Sequence, residues 1–307
     1  MDLGQIDPIL LLASLMVAAT PILLAATGEM VVEKSGVLNL GVEGMMITGA
    51  VVGFAVAVNS GSPAAGFVAA ALAGAGLALL FGLITQVLKS NQVATGLGLT
   101  LFGLGLSSLI GKPYEGIKAP SLGKLDIPLL ADIPVLGPIL FRHDPMVYIS
   151  LLIVLGVWAG LKYTRAGLVL RAVGENHTAA HALGYKVIRV RLAAILFGGA
   201  MAGMGGAYLS LVRVPTWVEG MTAGAGWIAL AIVVFASWRA GRVLLGAYLF
   251  GGVSVLQLNL QAAGAAIPVE YLSMSPYLVT ILVLVVISLR GKHGAPGSLG
   301  RVFHATT

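Results

Sequence analysis

Residues 63–88 read PAAGFVAAALAGAGLALLFGLITQVL, twenty-six consecutive positions without a charged side chain. A helix rises about 1.5 Å per residue, so this run reaches across the ~30 Å hydrocarbon core of a bilayer. Working outward from it, comparable apolar runs lie at about 9–27, 43–59, 92–110, 146–161, 192–212, 222–237, 243–262 and 271–289. The expectation is an all-α, polytopic membrane protein of about nine transmembrane helices. Composition agrees: 58% of residues are hydrophobic and 10% charged, with a mean hydropathy of +0.98, where a soluble domain carries roughly 25% charged residues. Asp2 and Asp7 precede the first run and no Lys or Arg does. A secretory signal peptide begins with a basic region instead, so the run is expected to stay as a span. Cys is absent, which removes disulfides, thiolate metal sites and a cysteine nucleophile.

Nine spans put the termini on opposite sides, and positive charge concentrates on the cytoplasmic side. With the N-terminus outside, Lys34, Lys89, Lys162, Arg165, Arg171, Lys186, Arg189, Arg191, Arg239, Arg242, Arg290, Lys292 and Arg301 fall inside. Only Lys112, Lys118, Lys124, Arg142 and Arg213 fall outside. The expected organisation is a transmembrane domain over 1–290, an external loop at 111–145, a cytoplasmic loop at 162–191 and a cytoplasmic tail at 291–307. Six prolines make the external loop unsuited to a long helix. Glycines recur four apart inside spans, as at Gly49/Gly53 and Gly199/Gly203, where they allow close helix approach within one chain or between subunits. Trp158, Trp217 and Trp238 stand near span ends, as an interfacial belt would place them.

Polar groups interrupt this pattern in few places. Residues 28–46 carry Glu29, Glu33, Lys34, Asn39 and Glu43 in otherwise apolar sequence. Either this is a solvated loop, or it is a broken helix whose Asn39 and Glu43 face a water-filled path, with Gly36, Gly41 and Gly44 permitting the break. In the loop at 162–191, Asn176 is placed to cap a short helix and Gly184 to end it, with Ala179, Ala180 and Leu183 on one face. So short a helix needs packing or a partner to persist. Asn91, Gln92 and Thr95 at one end of the fourth span, and Gln257 and Asn259 toward the far end of the eighth, bring neutral hydrogen-bonding groups suited to a sugar or base, or to a neighbouring helix. His177 and His181 have no third ligand in view and read as surface histidines rather than a metal site.

No G-x-x-x-x-G-K-[ST] occurs, because Gly111-Lys112, Gly123-Lys124 and Gly291-Lys292 are followed by Pro, Leu and His. There is no H-E-x-x-H and no G-x-S-x-G. Neither a catalytic residue nor a bound cofactor is expected.

Two stretches carry a resemblance. Glu33-Lys-Ser-Gly-Val-Leu-Asn-Leu-Gly-Val-Glu-Gly-Met-Met46 with the following Thr48-Gly-Ala, and Arg171-Ala-Val-Gly-Glu-Asn176 running on to Met201-Ala-Gly-Met-Gly-Gly-Ala-Tyr208, together resemble permeases of bacterial ABC importers. The likeness is to the simple-sugar and nucleoside group, related to ribose and branched-chain amino-acid permeases, and spans nearly the whole chain. It implies a subunit in the bacterial cytoplasmic (inner) membrane that works with a second, different and longer permease. It also implies a cytoplasmic ATPase that carries ATP and Mg, and an extracytoplasmic solute-binding protein or lipoprotein; no nucleic acid is implied. By the same resemblance 176–184 is the coupling helix that docks on the ATPase, with Glu175, Asn176, Ala180 and Gly184 at matching positions. Residues 36–46 match a segment that is broken near the path in related permeases. Ribose-type permeases begin with an extra helix that this chain lacks, a departure it shares with nucleoside-type permeases. The rival reading is a stand-alone secondary transporter or channel for a small polar solute.

Overall fold

The computed structural model describes residues 7–126, 128, 130–264, 268–289 and 294–304. Asp2, Arg290 and Lys292, used above to place charge, lie outside the described residues. The long helices are α1 (Pro8–Lys34), α2 (Val42–Ser60), α3 (Pro63–Gly82) and α4 (Gln92–Gly111). A short α5 (Leu136–Leu140) precedes α6 (Pro145–Tyr163), α7 (Arg165–Glu175) and α8 (His177–Ala182). The chain ends with α9 (Val187–Tyr208), α10 (Ala225–Phe235), α11 (Ala240–Ala262) and α12 (Val269–Leu289). Two π-turns, Leu83–Val87 and Leu209–Arg213, prolong α3 and α9. A two-residue strand pair, β1 (Leu125–Asp126) with β2 (Arg142–His143), is antiparallel. Among the described residues, seven helices are long and apolar enough to cross a membrane.

Most helix starts follow local rules. Asp7, Ser62 and Asp144 cap α1, α3 and α6, and each is followed by a proline in the first turn, where the missing N–H costs nothing. Among its described residues the proline-rich stretch 111–145 holds short elements, a 3-10 turn, β1, β2 and the five-residue α5, and no long helix. It folds back on the end of α9, where the Ala119 N–H donates to Pro215 O (2.9 Å).

The centre of the bundle is α9 packed on α1, α2 and α3, and glycine sets the spacing. Gly49 lies against Gly203, Gly199 against Gly74 and Ala78, and Gly206 against the carbonyl of Met46. Both four-spaced glycine pairs therefore pack inside this chain. In lipid, where apolar side chains gain little by leaving their surroundings, such backbone approach is a main source of cohesion.

Three expectations change. The first span continues past residue 27 to Lys34, so Glu29 and Glu33 are buried in helix rather than in a loop. The run at 222–237 yields a helix of 11 residues, about 16 Å long, too short to cross the core alone. Its preceding stretch is instead broken by positive φ at Gly220, Ala223 and Gly224. Trp217 and Trp238 are buried, at 2% and 5% exposure, and cannot form a lipid-facing belt; Trp158 at 42% can.

A Cβ on Gly206 would collide with the Met46 carbonyl, whereas one on Gly98 meets nothing. Gly206→Ala should destabilise the purified protein by about 1–3 kcal/mol, the usual cost of overpacking. Gly98→Ala should be neutral or slightly stabilising. Thermal unfolding in detergent compares the two directly.

Candidate translocation cavity and coupling helix

Between Lys34 and Val42 the chain leaves helical geometry without reaching solvent: Ser35, Gly36, Val37, Asn39 and Gly41 are all buried. The link is held by α4. Leu38 N–H donates to Gln92 Oε1 (2.8 Å), Thr100 Oγ1 donates to Leu40 O (3.1 Å), and Leu40 and Gly41 lie against Gly96. The start of α2 thus sits beside the second and third turns of α4 rather than level with its first residue. Asn39 Oδ1 accepts from the Gly41 N–H (2.9 Å), closing a tight turn that aims the chain into α2.

That placement brings Glu43 to the start of α10. Its Oε1 accepts from Thr222 Oγ1 (2.6 Å) and the Gly224 N–H (2.9 Å), and its Oε2 accepts from the Gly226 N–H (2.6 Å). The N-terminus of a helix presents unpaired N–H groups and a partial positive charge, and a carboxylate from a distant part of the chain satisfies both here. Gly226 carries no Cβ because one would meet the Glu43 backbone.

Next to this junction is a cavity of about 560 Å³. Pro21 of α1 and Arg213 at the end of α9 contribute to its wall, with Thr222 and Ala223 from the loop bound by Glu43. Ser254 and Gln257 of α11 and Ser273 and Tyr277 of α12 also line it. Gln257 Nε2 donates weakly to Ser273 Oγ (3.4 Å), and Tyr277 Oη donates to Ala223 O (3.3 Å), which ties α12 to the same loop. No carboxylate lines the cavity among the described residues, and Arg213 forms no ion pair there. The rest of the lining is mostly apolar, with Phe250 a second aromatic ring, so the polar groups are one cation, one amide and a few hydroxyls, a set that disfavours a cation.

The sequence-selected polar residues do not all meet in this cavity. Gln257 lines it, and Glu43 holds one of its walls through Thr222. Asn259 turns back onto its own helix, donating to Val255 O (2.9 Å). Asn91 caps α4 through the Ala94 N–H (3.0 Å), Thr95 pairs with Ser90, and Gln92 holds the 35–41 link. Arg213, Ser254, Ser273 and Tyr277 entered no sequence motif.

At the other end of α9, some 40 Å away by the rise of its 27 residues with the π-turn, lies α8. Asn176 Oδ1 accepts from the Ala179 N–H (3.0 Å) and Gly184 adopts φ +87°, the cap and stop anticipated from sequence. The face divides differently from expectation. Ala180 is buried against Val173, Val187 and Phe303, while Ala179 and Leu183 are exposed, Leu183 at 76%. Neighbouring helix positions point about 100° apart, and here only Ala180 of the two faces inward.

Two features that sequence reasoning missed hold α8 in place. Arg191, fully buried, donates to Ser35 O (3.2 Å), Gln86 Oε1 (3.2 Å) and Arg301 O (3.0 Å), and contacts His177 Nδ1 (3.1 Å). One guanidinium thereby joins the 35–41 link, the end of α3, the tail and α8. The tail itself is docked: Ser298 N–H donates to Gly174 O (2.8 Å), Gly300 N–H to Gly36 O (3.2 Å), and His177 N–H to Ser298 Oγ (3.1 Å). Phe303 sits edge-on to the rings of both His177 and His181, at 5.4 and 5.2 Å. Partial burial, then Arg191, Arg301 and His304 nearby, lower the His177 pKa below its ordinary 6.5.

With the geometry in place, comparison with known proteins identifies the class. The sequence model of the family described as "Branched-chain amino acid transport system / permease component" matches residues 11–287. The chain belongs to this family and is a multi-pass permease subunit of an ABC importer in the inner membrane, without an ATPase motif of its own. It is 41% identical over 289 residues to "Putative glucose ABC transporter permease protein TsgC13" of Haloferax volcanii, covering 87% of this chain and 88% of that one. It is 33% identical to the guanosine ABC transporter permease protein NupQ of Bacillus subtilis, covering 98% of each. It is 31% identical to the nucleoside ABC transporter permease protein NupC of Lactococcus lactis, covering 95% of each. No solved structure matches.

Two outcomes follow. Glu43→Ala leaves Thr222 and two backbone N–H groups unsatisfied in a buried site, which should cost about 3–5 kcal/mol, and Glu43→Gln should cost less. Hydrogen exchange at 222–226 should rise in the same order. Because the folded-state pKa of His177 is depressed, its contribution to tail docking is fully present above the unfolded value near 6.5 and lost as pH falls through the folded value. Protection factors of amides 297–303, taken relative to the intrinsic exchange rate at each pH, should therefore fall below pH 6.5, and should do so less in His177→Gln.

Proposed function

We propose that this chain forms half of the solute pathway of a binding-protein-dependent importer of nucleosides or simple sugars. The observation that carries the reading is the continuity of α9: it begins three residues after Gly184, beside α8, and ends at Arg213 in the wall of the cavity. A force applied at α8 has a rigid element along which to reach the solute site. The nine crossings are α1, α2, α3, α4, α6, α9, α10 with its unwound approach, α11 and α12, with the N-terminus outside and α8 inside. The charge distribution along the sequence supports that orientation.

In this reading a solute-binding protein delivers solute to the mouth beside Arg213 and Gln257. ATP and Mg bind a cytoplasmic ATPase, whose closure moves α8 through contacts with Ala179 and Leu183, while Asn176 and Gly184 keep the helix short and rigid. The second permease is a different, longer subunit, and solute passes between the two. No step makes or breaks a bond on this chain. The cavity's neutral hydrogen-bonding groups suit sugar hydroxyls, and Tyr277 supplies a ring against which a base or a pyranose face can lie. Guanosine, nucleoside and glucose permeases among the relatives support both solute classes.

The test is uptake of radiolabelled guanosine, uridine, ribose and glucose by proteoliposomes holding the complete complex. ATP-dependent uptake of at least one solute is expected. Leu183→Asp, which alters an exposed side chain and not the fold, should reduce uptake at least tenfold while the subunit stays inserted and folded. Undiminished ATP-driven uptake by that variant would refute the coupling assignment.

A further inference from the structure

A second cavity, of about 450 Å³, opens at the α8 end of the bundle, between the last turns of α6 and the start of α11. Its lining contains Lys34, Lys162, Arg171, Arg239 and Arg242, brought together from α1, α6, α7 and α11. The indoles of Trp158 and Trp238 complete the wall. Among the described residues the only ion pairs join Arg142 to Asp126 and Asp132, so none of these five cations has a carboxylate partner. Of the nearby acids, Glu33 is turned away and accepts from Trp238 Nε1, and Glu175 lies near Lys34 without forming an ion pair. α11 also begins here, at Arg239 and Ala240, without a side-chain cap, adding a helix N-terminus to the same concavity. Five cations converging on one hollow repel one another unless an anion joins them.

The surroundings say which anion. Lys162 ends an exposed apolar stripe on α6, through Leu155 (57%) and Leu152 (65%), and its Nζ lies 5.1 Å from the Trp158 ring centroid. Arg242 begins a matching stripe on α11, through Leu245 (67%) and Leu249 (44%). These stripes run from the cationic hollow toward the middle of the membrane-spanning helices, as acyl chains run from a phosphate. A half-exposed Trp beside the cations is placed as at a headgroup boundary.

We infer that this cavity is a binding site for the headgroup of an anionic phospholipid, with the acyl chains lying along α6 and α11. The site touches α1, α7 and α11 at once, next to the 35–41 link and the loop that leads to α8. A lipid phosphate seated there neutralises charges that otherwise push these elements apart.

The experiment uses the full-length chain in nanodiscs of phosphatidylcholine doped with phosphatidylglycerol, followed by native mass spectrometry of what stays bound. Preferential retention of one phosphatidylglycerol per chain, at least tenfold over phosphatidylcholine, is expected. The variant Lys162→Gln/Arg239→Gln/Arg242→Gln should lose that preference, and Lys186→Gln/Arg189→Gln, which removes two charges at the same end but outside the cavity, should keep it. A photoactivatable phosphatidylglycerol should crosslink α6 or α11 in the unmodified chain, a readout that stands if the triple variant fails to fold. Equal retention of the two lipids, or crosslinking confined to other helices, would overturn the proposal. So would displacement of the lipid by millimolar inorganic phosphate, which would make the site one for a free anion. Loss of the lipid when the ATPase assembles would assign the cations to an acidic partner surface and overturn it equally.

Discussion

The carboxylate of Glu43 accepting from Thr222, Gly224 and Gly226 is the contact on which the rest of the architecture turns. A helix of 11 residues that begins among other helices needs acceptors for its first N–H groups, and lipid offers none. Glu43 supplies the acceptors, but it reaches them only because α2 starts beside the second and third turns of α4. That displacement in turn requires the buried 35–41 link, with its Gln92 and Thr100 hydrogen bonds. Two interrupted segments, each unable to stand alone, satisfy one another. The cavity exists beside them because the chain before α10 is not helical and leaves space that a continuous helix would fill.

The same link connects the cavity to the α8 end. Ser35 O accepts from Arg191, whose other contacts reach Gln86, Arg301 and His177. Burying a guanidinium is costly unless its donors are met, so the four partners are held in one arrangement or released together. In the proposed coupling, a movement of α8 would act on the bundle by two routes: along α9, and through Arg191 into the 35–41 link and on to Glu43. Each route ends in the wall of the cavity.

Local features were legible in the sequence and distant ones were not. The Asn176 cap and Gly184 stop of α8 depend on residues within nine positions of one another, and both stand where the sequence put them. The spans at 63–88 and 92–110 were equally plain, since length and hydropathy suffice. The run at 222–237 misled because hydropathy registers apolar side chains and not whether the backbone between them is helical; positive φ at Ala223 is invisible to it. Glu29 and Glu33 seemed too polar for a span because the Trp238 that meets Glu33 lies 205 residues away. Arg191 counted only as one more inner charge, and its role rests on partners up to 156 positions distant. Of the polar residues picked for the path, Gln257 reaches the cavity directly and Glu43 supports its wall. Arg213 and Tyr277, with no motif around them, became visible only in three dimensions.

The central claim is that events at the α8 end change access to the cavity. The chain has no cysteine, so a single Ser254→Cys places one thiol in the cavity wall with no other thiol on this chain. Its rate of reaction with a membrane-impermeant maleimide added from outside, measured in the assembled complex, should differ several-fold between nucleotide-free and ATP-trapped states, and that difference should vanish in the chain without its ATPase. An identical rate in every nucleotide state would contradict the account.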